Sequence, residues 1–244
     1  MHKNIFFLTV LFLITSCSQN NSQSEESLSS LIKPSFTYKQ DFFNCALNDT
    51  SSLITLESFL SDVIQKSSKT DLLKLQISIL FPENVEKVKD FIISFKSLSD
   101  HLATLELVNL IKEMGVEEIA LCNFAIYQRR ALDFISYENL NRNDFSYVEI
   151  LRCKYNENYN FGTFKIAIDR FINQINSLDL AYSLSYINSA ADNNFIWINE
   201  FYDKDYQNVF LERWVNIKDA TEIKNEFIEN ASCLDSRSYK KYIL

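Results

Sequence analysis

Residues 41–48 read DFFNCALN and residues 149–156 read EILRCKYN. Each is an apolar-rich run ending in Cys-x-x-Asn, in a chain with 5 cysteines among 244 residues. Around the first run, FTYKQDFFNCALN (36–48) has the aromatic and apolar content of a strand, closed by Asn48-Asp49. Around the second, FSYVEILRCKYN (145–156) reads the same way. The segments C-terminal to these two strands decide the fold.

After the first strand, Leu53, Leu56, Phe59, Leu60, Val63 and Ile64 recur at three-and-four spacing. That predicts an amphipathic helix with Ser51 or Ser52 as its cap. Residues 72–81 alternate through Leu73, Leu75, Ile77, Ile79 and Phe81 up to Pro82, and 89–97 form another strand. A second helix runs from about Ser99-Asp100 to Gly115, and ALCNFAIYQRRALDF (120–134) predicts one more strand. The order is β-α-β-β-α-β.

The second half repeats it. A helix is expected over 161–178, with Phe164, Ile168, Phe171, Ile172 and Ile175 on one face. Strands follow at 180–189 and 194–203, then helical pattern in pieces from 204 to Ile228. The closing SCLDSRSYKKYIL is polar and gives the weakest strand signal. The halves match at similar offsets: Cys45 with Cys153, Asp90-Phe91-Ile92 with Asn194-Phe195-Ile196, and Cys122 with Cys233. Shared order at near-constant spacing indicates an internal duplication.

β-α-β-β-α-β is the ferredoxin-like unit. Two such units packed sheet to sheet resemble the dimeric α/β-barrel superfamily, which includes antibiotic-biosynthesis monooxygenase and NIPSNAP-type domains. Beyond the pattern, the resemblance rests on NFIWINEFYDKDYQNVFLERW (194–214), a strand leading into an acidic-aromatic helix start. The fold class expected is α+β, two ferredoxin-like repeats (34–137 and 143–244) forming a pseudo-dimeric α/β barrel within one chain. A monomer is the expected state.

In the ferredoxin-like arrangement the first and fourth strands are antiparallel neighbours, so the end of one lies beside the start of the other. This implies disulfides Cys45–Cys122 and Cys153–Cys233. Free buried thiols and a four-cysteine zinc site are the alternatives, although no C-x-x-C spacing supports zinc. No metal is expected.

The N-terminal MHKNIFFLTVLFLITSC has a positive start and an apolar run, Ile5 to Ile14, interrupted only by Thr9. It is too short to span a membrane but suits a signal-peptide core. Ile14-Thr15-Ser16-Cys17 resembles the bacterial lipobox, which implies cleavage after residue 16, lipidation of Cys17 and attachment to the membrane through that lipid. Ser18 in place of an aspartate points to the outer membrane, facing the periplasm. Residues 17–33 are then a lipidated cysteine and polar tether.

Composition removes several functions. The net charge is −8 and no basic stripe occurs, which excludes nucleic acid as a partner. With 2 glycines, standing apart, no phosphate-cradling loop or G-x-S-x-G elbow exists. Of 2 histidines, His2 falls in the signal and His101 at a helix start. Some barrel relatives degrade haem with an Asn, a Trp and a His in one unit. Here Trp197 and His101 belong to different halves, so no cofactor is expected.

Strand 194–203 carries the strongest local hint. Trp197, Asn199 and Phe201 share one face, Glu200 and Tyr202 the other. Trp197 and Asn199 can line an apolar pocket with one polar group, Glu200 can act as a base if buried, and Tyr127 is a further ligand-binding candidate. Two functions remain: a non-catalytic envelope-associated binding module, or a cofactor-independent, monooxygenase-like enzyme acting on a small apolar or aromatic molecule.

Overall fold

A computed structural model describes residues 32–67, 75–83, 88–98, 102–137, 145–178, 180–189, 193–202 and 205–244. The signal segment, Cys17, nearly all of the tether and His101 lie outside the described residues. In the first half, β1 (Tyr38–Leu47) leads to α1 (Leu53–Ser67), β2 (Leu75–Pro82), β3 (Asp90–Ser97) and α2 (Leu102–Glu113). Two short strands, β4 (Ala120–Cys122) and β5 (Arg129–Ile135), complete it. The second half comprises β6 (Ser146–Tyr155), α3 (Phe161–Asn176), β7 (Tyr182–Asn188), β8 (Asn194–Phe201), α4 (Tyr206–Val215), α5 (Ala220–Asn230) and β9 (Ala231–Ile243).

Local chemistry sets several boundaries. Ser52 Oγ accepts the Thr55 N–H at 3.2 Å at the start of α1. Asn160 caps α3 by accepting from the Gly162 and Thr163 N–H groups, while Thr163 Oγ1 accepts the Asn160 N–H in return. After α2 the backbone reverses at Gly115 with φ of 85°, a conformation that favours a residue without Cβ.

The strands close into a ring in the order β3-β2-β9-β6-β8-β7-β5-β1, with β1 pairing back to β3. Every pairing is antiparallel. The ring is an eight-strand barrel, because β4 and β5 occupy successive stretches of the same edge of β1. The strands of the first half meet those of the second at two seams: β2 pairs with β9 and β5 with β7. Strand alternation then divides the side chains into three cores. Tyr38, Leu80, Ala131, Val148, Ile187, Ile198 and Tyr239 fill the barrel. Outside it, α1 and α2 cover Phe43, Ile79, Ile93 and Phe95, and the second-half helices cover Tyr186, Phe195 and Trp197.

Two elements differ from the sequence-based expectation. Residues 120–134 are not one strand but two. Between them, buried Asp41 accepts the N–H groups of Tyr127 and Gln128, each at 2.8 Å, and Gln128 takes a φ of 49°. A carboxylate far away in sequence thus ends one strand and starts the next. The second difference is β9: the weakest expected strand is 13 residues long and pairs with both β6 and β2. Its polarity reflects the exposure of most of residues 232–237, which β2 does not flank, and the charged residues that it turns into the barrel.

The cysteines pair as the ferredoxin-like arrangement implied. Cys45 faces Cys122 and Cys153 faces Cys233 directly across their ladders, and both pairs are disulfide-bonded. The bridges span 77 and 80 residues, so the chain-entropy account gives each roughly 4 kcal/mol. Replacing Cys45 and Cys122 together by alanine is expected to lower the unfolding free energy by an amount of that order in urea. Non-reducing peptide mapping should recover only the 45–122 and 153–233 links, and crossed links would contradict the register.

Candidate functional site

On the outer face of the second half, α3, α4 and α5 roof a cavity of about 430 Å³. Its wall is mostly aromatic and aliphatic, with Phe171 from α3, Phe210 and Trp214 from α4, and Ile223 and Phe227 from α5, and Lys224 of α5 is the one cation among the described lining residues. Rings contact one another around it, with Phe171 and Trp214 centroids 5.1 Å apart and Trp197 edge-on to Phe227 at 5.7 Å. The floor comes from Glu149 of β6, Trp197, Asn199 and Phe201 of β8, and Ser238 of β9. The two-residue period of β8 sends Trp197, Asn199 and Phe201 to the helix side together.

Asn199 is the polar centre of this floor. Its Oδ1 accepts from Trp197 Nε1 at 3.0 Å and from the Tyr182 hydroxyl at 2.7 Å. Its Nδ2 donates to Glu149 Oε2 at 2.9 Å, and Ser236 Oγ donates to Glu149 Oε1 at 2.8 Å. The indole only donates and the carboxylate only accepts, so one orientation of the amide satisfies both. Burial, reinforced by the Glu149 charge, raises the Tyr182 pKa far above the ordinary phenol value, so the phenol stays a neutral donor. One Asn199 amide hydrogen has no protein acceptor among the described residues, and the side chain is only half-buried beside the cavity.

The four candidate residues from the sequence divide among three places. Trp197 and Asn199 come together on this floor. Glu200 points the other way, into the barrel, where Lys241 Nζ lies 2.8 Å from both carboxylate oxygens and Ser146 Oγ donates at 2.6 Å. Held in that pair, Glu200 is not a base for the cavity. Tyr127 lies at the far end of the barrel, exposed, with the Arg129 guanidinium over its ring at 4.5 Å. It shares no site with Trp197. Sequence reasoning missed Glu149 and the roles of Phe171, Phe210 and Phe227 in this wall. Glu149 meets Asn199 only through the β6–β8 register, which no local pattern displays.

A second ion pair sits at the same end of the barrel as Glu200–Lys241. Asp133 accepts from Lys96 at 2.7 Å, Tyr38 at 2.6 Å and Ser185 at 2.7 Å. Burial pushes the Asp133 carboxyl up, but Lys96 and these three hydrogen bonds outweigh it and hold the pKa below the ordinary aspartate value.

No group of His, Cys, Asp and Glu suited to a metal occurs among the described residues. The described lining of the cavity has no histidine, cysteine, methionine or tyrosine, the side chains that hold haem iron, so it does not fit haem. No described helix is long and apolar enough to cross a membrane.

No protein-family model matches the chain, and no curated protein does. Solved structures do. A candidate monooxygenase from Fusobacterium nucleatum superposes with a TM-score of 0.58 at 11% identity, over 86% of this chain and 94% of its own. A candidate monooxygenase from Lactobacillus acidophilus gives 0.52 at 9%, over 84% and 94%. A chlorite dismutase variant from Candidatus Nitrospira defluvii gives 0.56 at 8%, over 85% and 92%. The fold is that of the ferredoxin-like α/β barrels. At such identity the likeness concerns the fold alone.

The Asp133 pair makes a pH prediction. Its depressed carboxyl contributes stability in full above the ordinary carboxylate range, and that contribution is lost as pH falls through the lower folded-state pKa. Asp133→Asn is expected to cost about 2 kcal/mol at neutral pH, a figure reduced for the partial exposure of the pair. It should also flatten the acid side of the stability profile in urea titrations between neutral and acid pH.

Proposed function

We propose that the chain binds a small, largely apolar or aromatic molecule beneath α3–α5 and oxidises it without a cofactor. The observation that carries this reading is the polar floor of the aromatic cavity, with a free Asn199 amide hydrogen beside a carboxylate. A carbonyl or phenolic oxygen of the ligand accepts from Asn199, while the rings of Trp197, Trp214 and Phe227 contact its apolar body. Glu149, the one carboxylate among the described lining residues, removes a proton from an activated carbon. The resulting carbanion reacts with dioxygen, so that a CH₂ group and O₂ give a carbonyl and water. The fold shared with candidate monooxygenases supports this direction over a purely structural role.

The proposed setting is the bacterial cell envelope, with lipid on Cys17 and the domain on the periplasmic side of the outer membrane. Its supports are the segment before Cys17, the polar run after it, and two disulfides of the kind that persist in oxidising compartments. We also read the two halves as a duplicated unit closing as a pseudo-dimer. In support, each half has the same internal strand order, with a disulfide from its first strand to the strand on that strand's far edge, β1 to β4 and β6 to β9.

Both tryptophans of the chain border the cavity, so intrinsic fluorescence reports its occupancy. Titration of residues 18–244 with a panel of bicyclic and tricyclic aromatic ketones and phenols is expected to give saturable quenching, about tenfold weaker in Asn199→Ala. Glu149→Gln should still bind but consume no oxygen. Saturable binding with no oxygen uptake by the natural chain would favour the non-catalytic module, and no quenching by any compound would remove the cavity from consideration. For the anchor, palmitate label should enter the full-length chain in bacteria and be absent from Cys17→Ser; an unlabelled natural chain would overturn it.

A further inference from the structure

We propose that the barrel mouth opposite the two ion pairs is a binding site for a small organic oxyanion with an apolar body. This site is separate from the cavity beneath α3–α5 and does not rest on the function proposed there. The strands carry Asp133, Glu200 and Lys241 at one end of the barrel. By the same inward alternation they carry Arg129, Arg152 and Arg237 at the other. There the barrel opens into a cavity of about 490 Å³. Its apolar floor is formed by Phe42, Ile92, Ile150 and Ile196.

The charge at this mouth is not balanced. Arg152 and Arg237 share one carboxylate, Asp235, at 4.0 and 3.3 Å. Lys154 adds a further cation to the lining. Arg129 has no carboxylate within ion-pair distance and no hydrogen-bond acceptor among the described residues; its guanidinium lies over the face of Tyr127, 4.5 Å from the ring centre. Asp41 attracts it, but its Oδ1 is occupied by the Tyr127 and Gln128 N–H groups. Burial lowers the Arg129 pKa, with Asp41 opposing the shift.

In a chain of net charge −8, four cations around a concave apolar floor form a local exception. A guanidinium offers donors in a planar fork that matches a carboxylate, sulfate or phosphate group. Arg129, held against Tyr127, keeps its guanidinium in the lining of this cavity. Asn44 and Asn123 add neutral hydrogen-bonding groups to the wall. The ligand class that fits is therefore amphipathic, with its oxyanion on the arginines and a short apolar chain or ring on the isoleucines.

The test is calorimetric titration of residues 18–244 with hexanoate and hexyl sulfate, using hexanol as the neutral counterpart and inorganic sulfate as the oxyanion alone. Both amphipathic anions are expected to bind, with affinity falling as ionic strength rises. Hexanol and inorganic sulfate should each bind about tenfold more weakly or worse. Arg129→Gln should weaken the anions about tenfold, Arg129→Lys less, and Asn199→Ala not at all. Equal binding of hexanol, no effect of Arg129→Gln, or loss of binding in Asn199→Ala would each overturn the proposal. If circular dichroism shows Arg129→Gln unfolded, Arg237→Gln takes its place with the same expected direction.

Discussion

Ring closure is the constraint on which the rest of this structure depends. An open eight-strand sheet would leave two edges of unpaired backbone N–H and C=O groups. Here β9 pairs with both β6 and β2, while β1 returns to β3, so neither edge remains. A barrel of eight strands is only wide enough inside for side chains to fill. The interior therefore has an apolar waist of Tyr38, Leu80, Val148, Ile187, Ile198 and Tyr239. Charged groups are displaced to the two ends, where they either pair, as Glu200 and Asp133 do, or face an open mouth, as Arg129 does.

With the inner face committed, the outer face must be covered by helices, and the halves do this differently. In the first half, aliphatic side chains of α1 and α2, among them Leu56, Leu60, Leu107 and Ile111, pack down on Phe43 and Phe95. Small flexible groups interdigitate to high density there. In the second half, three helices present Phe171, Phe210, Trp214 and Phe227. Large planar rings meet edge to face and bridge across the sheet, and the space between them is the cavity. The polar floor lies in this half because β8 supplies Trp197 and Asn199 where β3 supplies Ile93 and Phe95.

The division between inner and outer faces also explains why neighbours in sequence have unrelated roles. Asn199 and Glu200 are adjacent, yet one lies under the helices and the other inside the barrel. Glu149 and Asn199 are far apart in sequence, yet their strands place them opposite each other. The cavity floor is a product of register, and so is the cluster of arginines at the mouth, contributed by β5, β6 and β9.

The order of elements, the helical faces, a cap at Ser51 or Ser52, and the common face of Trp197, Asn199 and Phe201 were all legible in the sequence. They depend on contacts a few residues apart and on the periods 3.6 and 2. The cysteine pairing followed once the strand order was known, because first and last strands of a unit are neighbours. Three features were decided only by tertiary structure. Asp41 breaks 120–134 into two strands by capturing N–H groups brought to it by folding. The polar segment 231–243 becomes the longest strand because two partners wait for its backbone. Glu149 joins Asn199, and Arg129 joins Arg152 and Arg237, because closing the ring fixes which residues stand opposite one another, and no local stretch of sequence holds that information.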